Sequence, residues 1–322
     1  MQAAIVTRYG PPEVVQLRDV TIPIPGPTDI IVRMQATTVT AGDWRIRSCT
    51  MPRGYGVLAP LALGFGAPRQ PILGSSVAGD VMAVGEAVRD LAIGDSVVAA
   101  TGMRMGCHAE YVAVPATAAV RTPETMTFEQ AATLPFGGMT ALDFLRRAQL
   151  NPGDRILVTG AAGVVGSAIV QLAVQRGIFV TATCRSANVA LVKALGAHAI
   201  IDHAREPIAT MGVRYTAIAD TTGVLPYAKA RALLLPNGRL LAILGELGDL
   251  LRAPLVAMTS GQRIIAGPAA ERASDLRDLV ALTAAGRYTP LIDSRFSLGN
   301  IVEAHRRVEA VEKRGSVVVT RG

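Results

Sequence analysis

The sequence predicts an α/β fold in which a doubly wound parallel sheet follows a strand-rich region. Short apolar runs separated by glycine and proline fill residues 1–122, and helical spacing is nearly absent there. From Arg155 onward, strand and helix patterns alternate, which is typical of a parallel sheet covered by helices on both faces. With 322 residues, the chain is long enough for two domains.

The elements follow from apolar spacing and from the turn residues that separate the runs. Strands are predicted at residues 1–8, 30–34, 77–84, 96–100, 156–159, 178–184, 197–202, 215–220, 238–244, 263–267, 291–296 and 316–320. Helices are predicted at residues 128–134, 139–147, 165–176, 189–195, 225–235, 274–287 and 300–313. A long loop rich in proline and glycine, a candidate lid, is expected at residues 49–71.

A glycine-rich turn between a predicted strand and a predicted helix is expected to bind a phosphate. Gly160, Gly163 and Gly166 follow the strand and precede the helix. In a nucleotide-binding unit, the second of these lets the backbone approach a pyrophosphate, and the third lets the helix pack on the strand. Unpaired N–H groups at the start of the helix attract the anion. Ala161 stands where the strict motif has glycine, so this pattern alone is a weak signal.

The tip of the next strand is expected to select the cofactor. Arg185 and Ser186 follow this strand, about 20 positions after the glycine turn. An acidic residue at this place holds the ribose 2′-OH of NAD, whereas an arginine suits the 2′-phosphate of NADP. No Asp or Glu occurs in residues 156–195, so NADPH is favoured and nothing is expected to repel the phosphate. The alternative is that Ser186 caps the following helix and Arg185 is a solvated surface charge.

Doubly wound sheets bind ligands beyond the carboxyl ends of their strands. This rule groups Gly160, Arg185, residues 220–223 and Gly245 on a common rim. Each of these positions, taken alone, is also explained as an ordinary turn.

Composition limits the possible partners. The net charge of +7 is spread along the chain and aromatic content is 4%, which disfavours nucleic acid because stacking needs aromatic side chains. Residues 156–175 carry no charge, but their glycines and polar side chains fit a strand, turn and helix better than a membrane span. Three widely spaced cysteines, Cys49, Cys107 and Cys184, fit a reducing compartment, and the start of the chain lacks the features of a signal peptide. A soluble cytoplasmic protein is therefore expected.

Short motifs follow one another along the whole chain. They are YGPPE (9–13), VTAGDW (39–44), LGSSVAG (73–79), VGEAV (84–88), GDSV (94–97), HAEYV (108–112), LPFGGMTAL (134–142), GAAGVVG (160–166) and LGA (195–197). In their order and spacing, from end to end, these motifs resemble the medium-chain dehydrogenase/reductase superfamily, in its zinc-free quinone oxidoreductase branch. The resemblance implies a GroES-like catalytic domain, residues 1–124 with 268–322, and a Rossmann domain, residues 125–267, with a cleft between them.

The resemblance also implies that zinc is absent. In zinc-dependent relatives a cysteine precedes the Gly-Asp step and a Gly-His-Glu sequence follows the loop, whereas this chain has residues 40–42 and Gly74-Ser75-Ser76 there. Zinc needs several thiolate, imidazole or carboxylate ligands. Cys107 and His108 are the only candidate pair, and adjacent residues on a strand point to opposite faces.

The resemblance places further contacts on both sides of the cleft. Cofactor contacts are implied at Thr140, Gly163, Val164, Val165, Ser186, Lys193, His203, Leu244 and Gly245, which add to Gly160, Ala161, Gly166 and Arg185 from the turn and the strand tip. Asp43, Thr40 and Trp44 are implied on the substrate side. Close relatives usually have Asn at position 40, Tyr at position 203 and a Gly-Lys pair near position 316, where this chain has Thr40, His203 and Ser316.

The implied activity is a hydride transfer from NADPH to a quinone or an α,β-unsaturated carbonyl, in which the cofactor supplies the chemistry. One alternative is an enoyl-thioester reductase, although the sequence shows no concentrated basic patch for a carrier phosphate. Another is a non-catalytic NADPH-binding sensor or crystallin-like protein, which stays open because no catalytic acid stands out. A homodimer is expected through the sixth strand of the sheet, residues 263–267, because exposed sheet edges are usually paired or covered.

Overall fold

The computed structural model describes residues 1–56, 59–208, 212–310 and 312–322. The chain divides into two compact units. The first unit combines Met1–Met51, Gly56–Met139 and Glu271–Gly322, and the second combines Pro52–Tyr55 and Thr140–Ala270. The predicted limits of the GroES-like and Rossmann domains, at residues 124 and 267, stay predictions.

The elements of the described residues are these, in chain order. The strands are β1 (Gln2–Val6), β2 (Val15–Asp19), β3 (Asp29–Val39), β4 (Ser76–Val84), β5 (Ser96–Ala100), β6 (Tyr111–Pro115), β7 (Ala119–Arg121), β8 (Arg155–Val158), β9 (Phe179–Cys184), β10 (Ala199–Asp202), β11 (Tyr215–Asp220), β12 (Leu234–Ala242), β13 (Arg263–Ile265), β14 (Ile292–Ser297) and β15 (Ser316–Thr320). The α-helices are α1 (Ala41–Ser48), α2 (Ala59–Leu63), α3 (Phe128–Thr133), α4 (Thr140–Ala148), α5 (Val164–Gln175), α6 (Val189–Ala194), α7 (Tyr227–Ala230), α8 (Leu247–Ser260), α9 (Ala273–Ala284) and α10 (Ile301–Glu309).

The first unit is built on a seven-stranded sheet with the order β14-β15-β3-β4-β5-β7, in which β6 also pairs with β3. All neighbours are antiparallel except β14 and β15. Inward-facing residues of the long strand β3, such as Ile30, Val32 and Met34, are fully buried and form the centre of the core. The strand-rich character predicted for this part of the chain is confirmed.

The second unit is a six-stranded parallel sheet with the order β10-β9-β8-β11-β12-β13. This is the strand order of doubly wound nucleotide-binding sheets, in which the order reverses between the first and fourth strands. Ile156, Leu157 and Val158 of the central strand β8 are fully buried, as expected for a strand covered on both faces. The predicted fold class is confirmed, and the reversal lies between β8 and β11.

One predicted helix is wrong, and several observed helices were not predicted. The helix predicted at 225–235 is wrong, because α7 has only four residues and β12 already begins at Leu234. Pro236 cannot continue a helix, and the backbone of Asn237 is left-handed, with φ of 62°. The region predicted to lack helices contains α1 and α2, and the 14-residue helix α8 occupies a stretch for which no element was predicted.

Other elements match with shifts of a few residues at their ends, which is usual for helix and strand limits. The predicted helices at 128–134 and 139–147 correspond to α3 and α4, which a π-helix, Leu134–Met139, connects. Residues 57 and 58 of the predicted loop and residue 311 of the last predicted helix lie outside the described residues. Among the described residues, no helix has the length and apolar character that crossing a bilayer requires. The cytoplasmic location stays a prediction.

Candidate cofactor-binding site

The predicted glycine turn lies between the end of β8 and the start of α5. Gly160 has φ of +60°, a left-handed conformation that favours glycine. A Cβ on Gly166 would lie 2.2 Å from the carbonyl oxygen of Gly160, so no side chain fits there. Gly163 is the N-cap of α5 and makes no side-chain cap, and a Cβ on it would lie 3.2 Å from the same oxygen. The turn therefore leaves a concave backbone surface at the helix start, which fits the diphosphate of a dinucleotide.

The other predicted residues of this turn contribute mainly backbone. Ala161 is fully buried, and its N–H donates to the carbonyl oxygen of Thr183 at 3.1 Å. Val164 and Val165 form the first turn of α5, where Val165 is buried and Val164 is partly exposed. The absence of glycine at position 161 thus leaves the turn geometry intact.

A buried hydrogen-bond network supports the turn from the adjacent strand. The Thr159 hydroxyl donates to Asp220 Oδ1 at 2.7 Å, and the Thr221 hydroxyl donates to the Thr159 carbonyl oxygen at 2.7 Å. Asp220 also accepts from the N–H groups of Gly223 at 3.0 Å and Leu225 at 2.8 Å. Residues 220–223 were predicted on the ligand-binding rim, with an ordinary turn as the alternative, and their support of the glycine turn was missed because Thr159 and Asp220 are 61 positions apart.

A concave pocket lies at the carboxyl ends of β11 and β12. It brings the predicted contacts Leu244 and Gly245 together with the turn after β11. The residues that line it are Asp220, Gly223, Leu225, Pro226, Ala242, Leu244, Gly245, Glu246 and Asp249. Because carboxylates are prominent in this lining, the pocket suits the uncharged part of a dinucleotide better than its phosphates.

Arg185 and Ser186 lie exposed at the end of β9, where the sequence placed them. His203 is held at the same tip, since its backbone N–H donates to the Cys184 carbonyl oxygen at 3.2 Å. Lys193 is exposed on α6, the helix that follows the tip. Four predicted phosphate contacts therefore belong to two neighbouring strands and the helix between them.

The expectation that no acid lies near this tip is wrong. Asp202, the last residue of β10, is the register partner of Cys184 on β9. The Ser186 hydroxyl donates to Asp202 Oδ2 at 2.5 Å, and this hydrogen bond is the main cause of a lowered Asp202 pKa. No acid occurs in residues 156–195, but the parallel pairing of β10 with β9 brings Asp202, at the end of the next strand, beside the tip.

Thr140 is the first residue of α4, the helix that packs against α5 in the second unit. Its predicted cofactor contact stays a prediction. The three substrate-side residues, by contrast, lie in the first unit, at the start of α1.

Thr40 and Asp43 form a capping box at the start of α1. Asp43 Oδ2 accepts from the N–H and the hydroxyl of Thr40, both at 2.7 Å, and Oδ1 accepts from the N–H of Gly74 at 2.8 Å. Asp43 is 1% exposed, so its carboxylate anchors the helix start to the loop that contains Gly74. Trp44 is partly exposed, and the Arg45 guanidinium lies 5.3 Å from the centre of its ring. The substrate-side roles of Thr40, Asp43 and Trp44 stay predictions.

Cys107 and His108 are both buried and have partners within the first unit. Burial raises the pKa of the Cys107 thiol to about 12, and Sγ lies 3.3 Å from the Thr101 hydroxyl. His108 Nε2 lies 3.1 Å from the Thr38 carbonyl oxygen. In the part of the chain that the structure describes, no three His, Cys, Asp or Glu side chains group in a way that could hold a metal ion.

Comparisons with known families cover both units. The family model of the alcohol dehydrogenase GroES-like domain matches residues 26–124, and that of zinc-binding dehydrogenases matches residues 195–319. The chain is 30% identical to the chloroplastic quinone-oxidoreductase QR1 of Triphysaria versicolor, over 94% of this chain and 92% of that protein. It is 27% identical to the chloroplastic NADPH-dependent alkenal/one oxidoreductase of Arabidopsis thaliana, over 99% of this chain and 79% of that protein.

A solved structure shows the same fold. The quinone oxidoreductase from Coxiella burnetii superimposes with a TM-score of 0.89 at 27% identity, covering 100% of this chain and 99% of that chain.

Proposed function

Because this chain belongs to the zinc-free quinone oxidoreductase branch of the medium-chain dehydrogenase/reductase superfamily, we propose that it reduces a quinone or an α,β-unsaturated carbonyl with NADPH and without a metal ion. That it is an oxidoreductase follows from its relatives, whereas the cofactor, the substrate class and the metal independence are the proposal. The observation that carries the proposal is the glycine turn after β8, where Gly166 admits no side chain.

Different residues of the second unit would bind different parts of the cofactor. The glycine turn and the first N–H groups of α5 would bind the diphosphate, and the strand tip with Arg185, Ser186, Lys193 and His203 would bind the 2′-phosphate. Leu244 and Gly245 would contact the uncharged part in the pocket at the ends of β11 and β12. When bound, the reduced nicotinamide supplies the hydride.

The proposed substrates need little help from the protein beyond positioning. A quinone or enone accepts hydride into a conjugated system, so the negative charge spreads to an oxygen without a Lewis acid. Thr40, Asp43 and Trp44 would position this substrate from the start of α1.

The test is NADPH oxidation, followed at 340 nm, with a panel of quinones and enones before and after dialysis against a chelator. We expect turnover with at least one class of acceptor, unchanged by chelation, and no retained zinc by metal analysis. Loss of activity with loss of about one zinc per chain would contradict the metal-free proposal. Tight NADPH binding without turnover on any acceptor would favour the non-catalytic sensor instead.

We further propose that the protein forms a homodimer through the second unit. Strand β13 ends the described six-stranded sheet, and a sheet edge of this kind is usually paired or covered. The neighbouring helix α8 exposes a stripe at helical spacing, where Leu251, Leu255 and Met258 are 71%, 62% and 84% exposed. A second copy would cover both the edge and the stripe. Light scattering at micromolar concentration should give a dimer, and the Leu255→Lys variant should dissociate at higher protein concentration than the parent. A monomeric parent would contradict this proposal.

A further inference from the structure

The carboxylate of Asp202 occupies a position that the sequence alone assigned to cations. It lies at the carboxyl end of β10, in register with Cys184 of β9, and its side chain is 14% exposed. Its Oδ1 accepts from the Ala204 N–H at 3.1 Å, and its Oδ2 accepts from the Ser186 hydroxyl at 2.5 Å. Arg205 Nε lies 3.4 Å from Oδ2, but its side chain is 79% exposed and screens the charge only weakly.

The hydrogen bond from Ser186 to Asp202 competes with a hydrogen bond from Ser186 to a phosphate. A serine hydroxyl has one proton to donate, and here it is given to Asp202. To donate to a phosphate, Ser186 must therefore release the carboxylate, whose negative charge then remains beside that phosphate. An ionised acceptor holds such a proton more strongly than a neutral one.

On the basis of the proposed function, we infer that Asp202 determines cofactor specificity, weakening NADPH binding by its charge and by competing for the Ser186 proton. The same carboxylate is a suitable acceptor for a ribose 2′-hydroxyl, as the acid at the end of the second strand is in NAD-binding sheets. Here the third strand supplies the acid. The tip therefore carries cations for NADPH and an acid for NADH, and the preference between the two cofactors is moderate.

The test is titration of NADPH and NADH by calorimetry or nucleotide fluorescence with the parent and Asp202→Asn proteins. Asparagine keeps the size and the acceptor for the Ala204 N–H but removes the charge. We expect Asp202→Asn to tighten NADPH binding roughly ten-fold and to leave NADH unchanged or weaker. The matched control is Asp154→Asn, which removes the same charge from the opposite end of the sheet, before β8, where Asp154 accepts from the Asn151 N–H at 2.8 Å.

A double-mutant cycle tests the competition for the proton. Ser186→Ala should cost more NADPH affinity in the Asp202→Asn background than in the parent, because only the neutral partner releases the hydroxyl. Equal shifts for NADH and NADPH in Asp202→Asn, or weaker NADPH binding, would overturn the inference and leave the proposed function standing. A parent protein that binds neither cofactor would overturn the proposed function, and this inference with it.

Discussion

The rim of the second unit and the start of α1 in the first unit both carry polar groups that are predicted to contact ligands. The two regions differ in how exposed these groups are and in how fully they are already hydrogen-bonded. On the rim, Gly163 precedes the first turn of α5 without a side-chain cap, so the first N–H groups of the helix have no side-chain acceptor, and Arg185 and Ser186 are exposed. At the start of α1, both carboxylate oxygens of Asp43 already accept hydrogen bonds from within the unit. Changes on the rim should therefore act on ligand affinity, and changes at α1 should act mainly on stability.

The strongest test of this contrast is Asp43→Ala. Its removal leaves the N–H groups of Thr40 and Gly74 without their acceptor in a buried place. We expect the free energy of unfolding to fall by about 3 kcal/mol, since each unsatisfied buried group costs about 1–3 kcal/mol. Chemical denaturation measures the loss, and Asp43→Asn, which keeps one acceptor oxygen, should lose less. A stable Asp43→Ala protein with a raised KM alone would instead place Asp43 directly on the substrate.

The second test is Gly166→Ala in the glycine turn. The added Cβ would lie 2.2 Å from a backbone oxygen that cannot move away without opening the turn. We expect a loss of about 2 kcal/mol in stability, together with equal losses of NADH and NADPH affinity in titrations. Gly248→Ala is the control, because a Cβ there meets nothing within 4 Å. Unequal losses would show that the turn also senses the 2′-phosphate.

The third test, Arg185→Ala, should change cofactor preference without a change in stability. A charge-assisted contact to the 2′-phosphate is worth about 1.5–3 kcal/mol, so NADPH affinity should fall roughly ten-fold or more. NADH affinity should be nearly unchanged. Replacing Lys193 and His203 in turn would show how much each contributes to binding the 2′-phosphate. Equal losses for both cofactors would mean that Arg185 supports the fold or the adenine.

The smallest effect near neutral pH is expected from His305 on α10. It is fully buried, neither ring nitrogen has a hydrogen-bond partner among the described residues, and its ring lies 5.7 Å from that of His108. Burial, followed by His108 and the buried Arg47, lowers the pKa of His305 well below its usual value. The cation of Arg47 is paired with Glu309 of the same helix α10.

The sign of the pH dependence follows from this lowered pKa. Below pH 6.5 the unfolded state binds a proton at His305 that the folded state does not bind. The free energy of unfolding therefore decreases as the pH is lowered, by about 0.8 kcal/mol at pH 6. Thermal unfolding between pH 7.5 and 5 measures this loss. The His305→Leu variant, which has no imidazole to protonate in either state, should have a flatter profile. A parent profile with no slope would contradict the buried neutral imidazole.

The sequence predicted what depends on neighbouring residues. The glycine turn was located from the spacing of Gly160, Gly163 and Gly166, because the strand, turn and helix that it joins are contiguous. The strand at 316–320 was predicted with its observed limits for a similar reason, since a compact run of valines follows a glycine.

What the sequence missed depends on distant pairing. The acid beside the strand tip, Asp202, and the support of the glycine turn by Asp220 follow from the strand order, which no local pattern contains. The short α7 depends on Leu234 pairing with Tyr215 of β11, which draws the residues before Pro236 into a strand. The helix α1 was missed because its capping box lies in a stretch without apolar periodicity.

The three-piece construction of the first unit has a consequence for synthesis on the ribosome. Its strand β15 pairs with β3, and the two are separated by most of the chain, from Val39 to Ser316. The nascent chain therefore carries an uncovered edge at Ala36–Val39 of β3 until residues 316–320 emerge, while Thr140–Ala270 of the second unit can already fold. A ribosome stalled before residue 316 should expose a chain whose second unit resists protease and whose first unit does not.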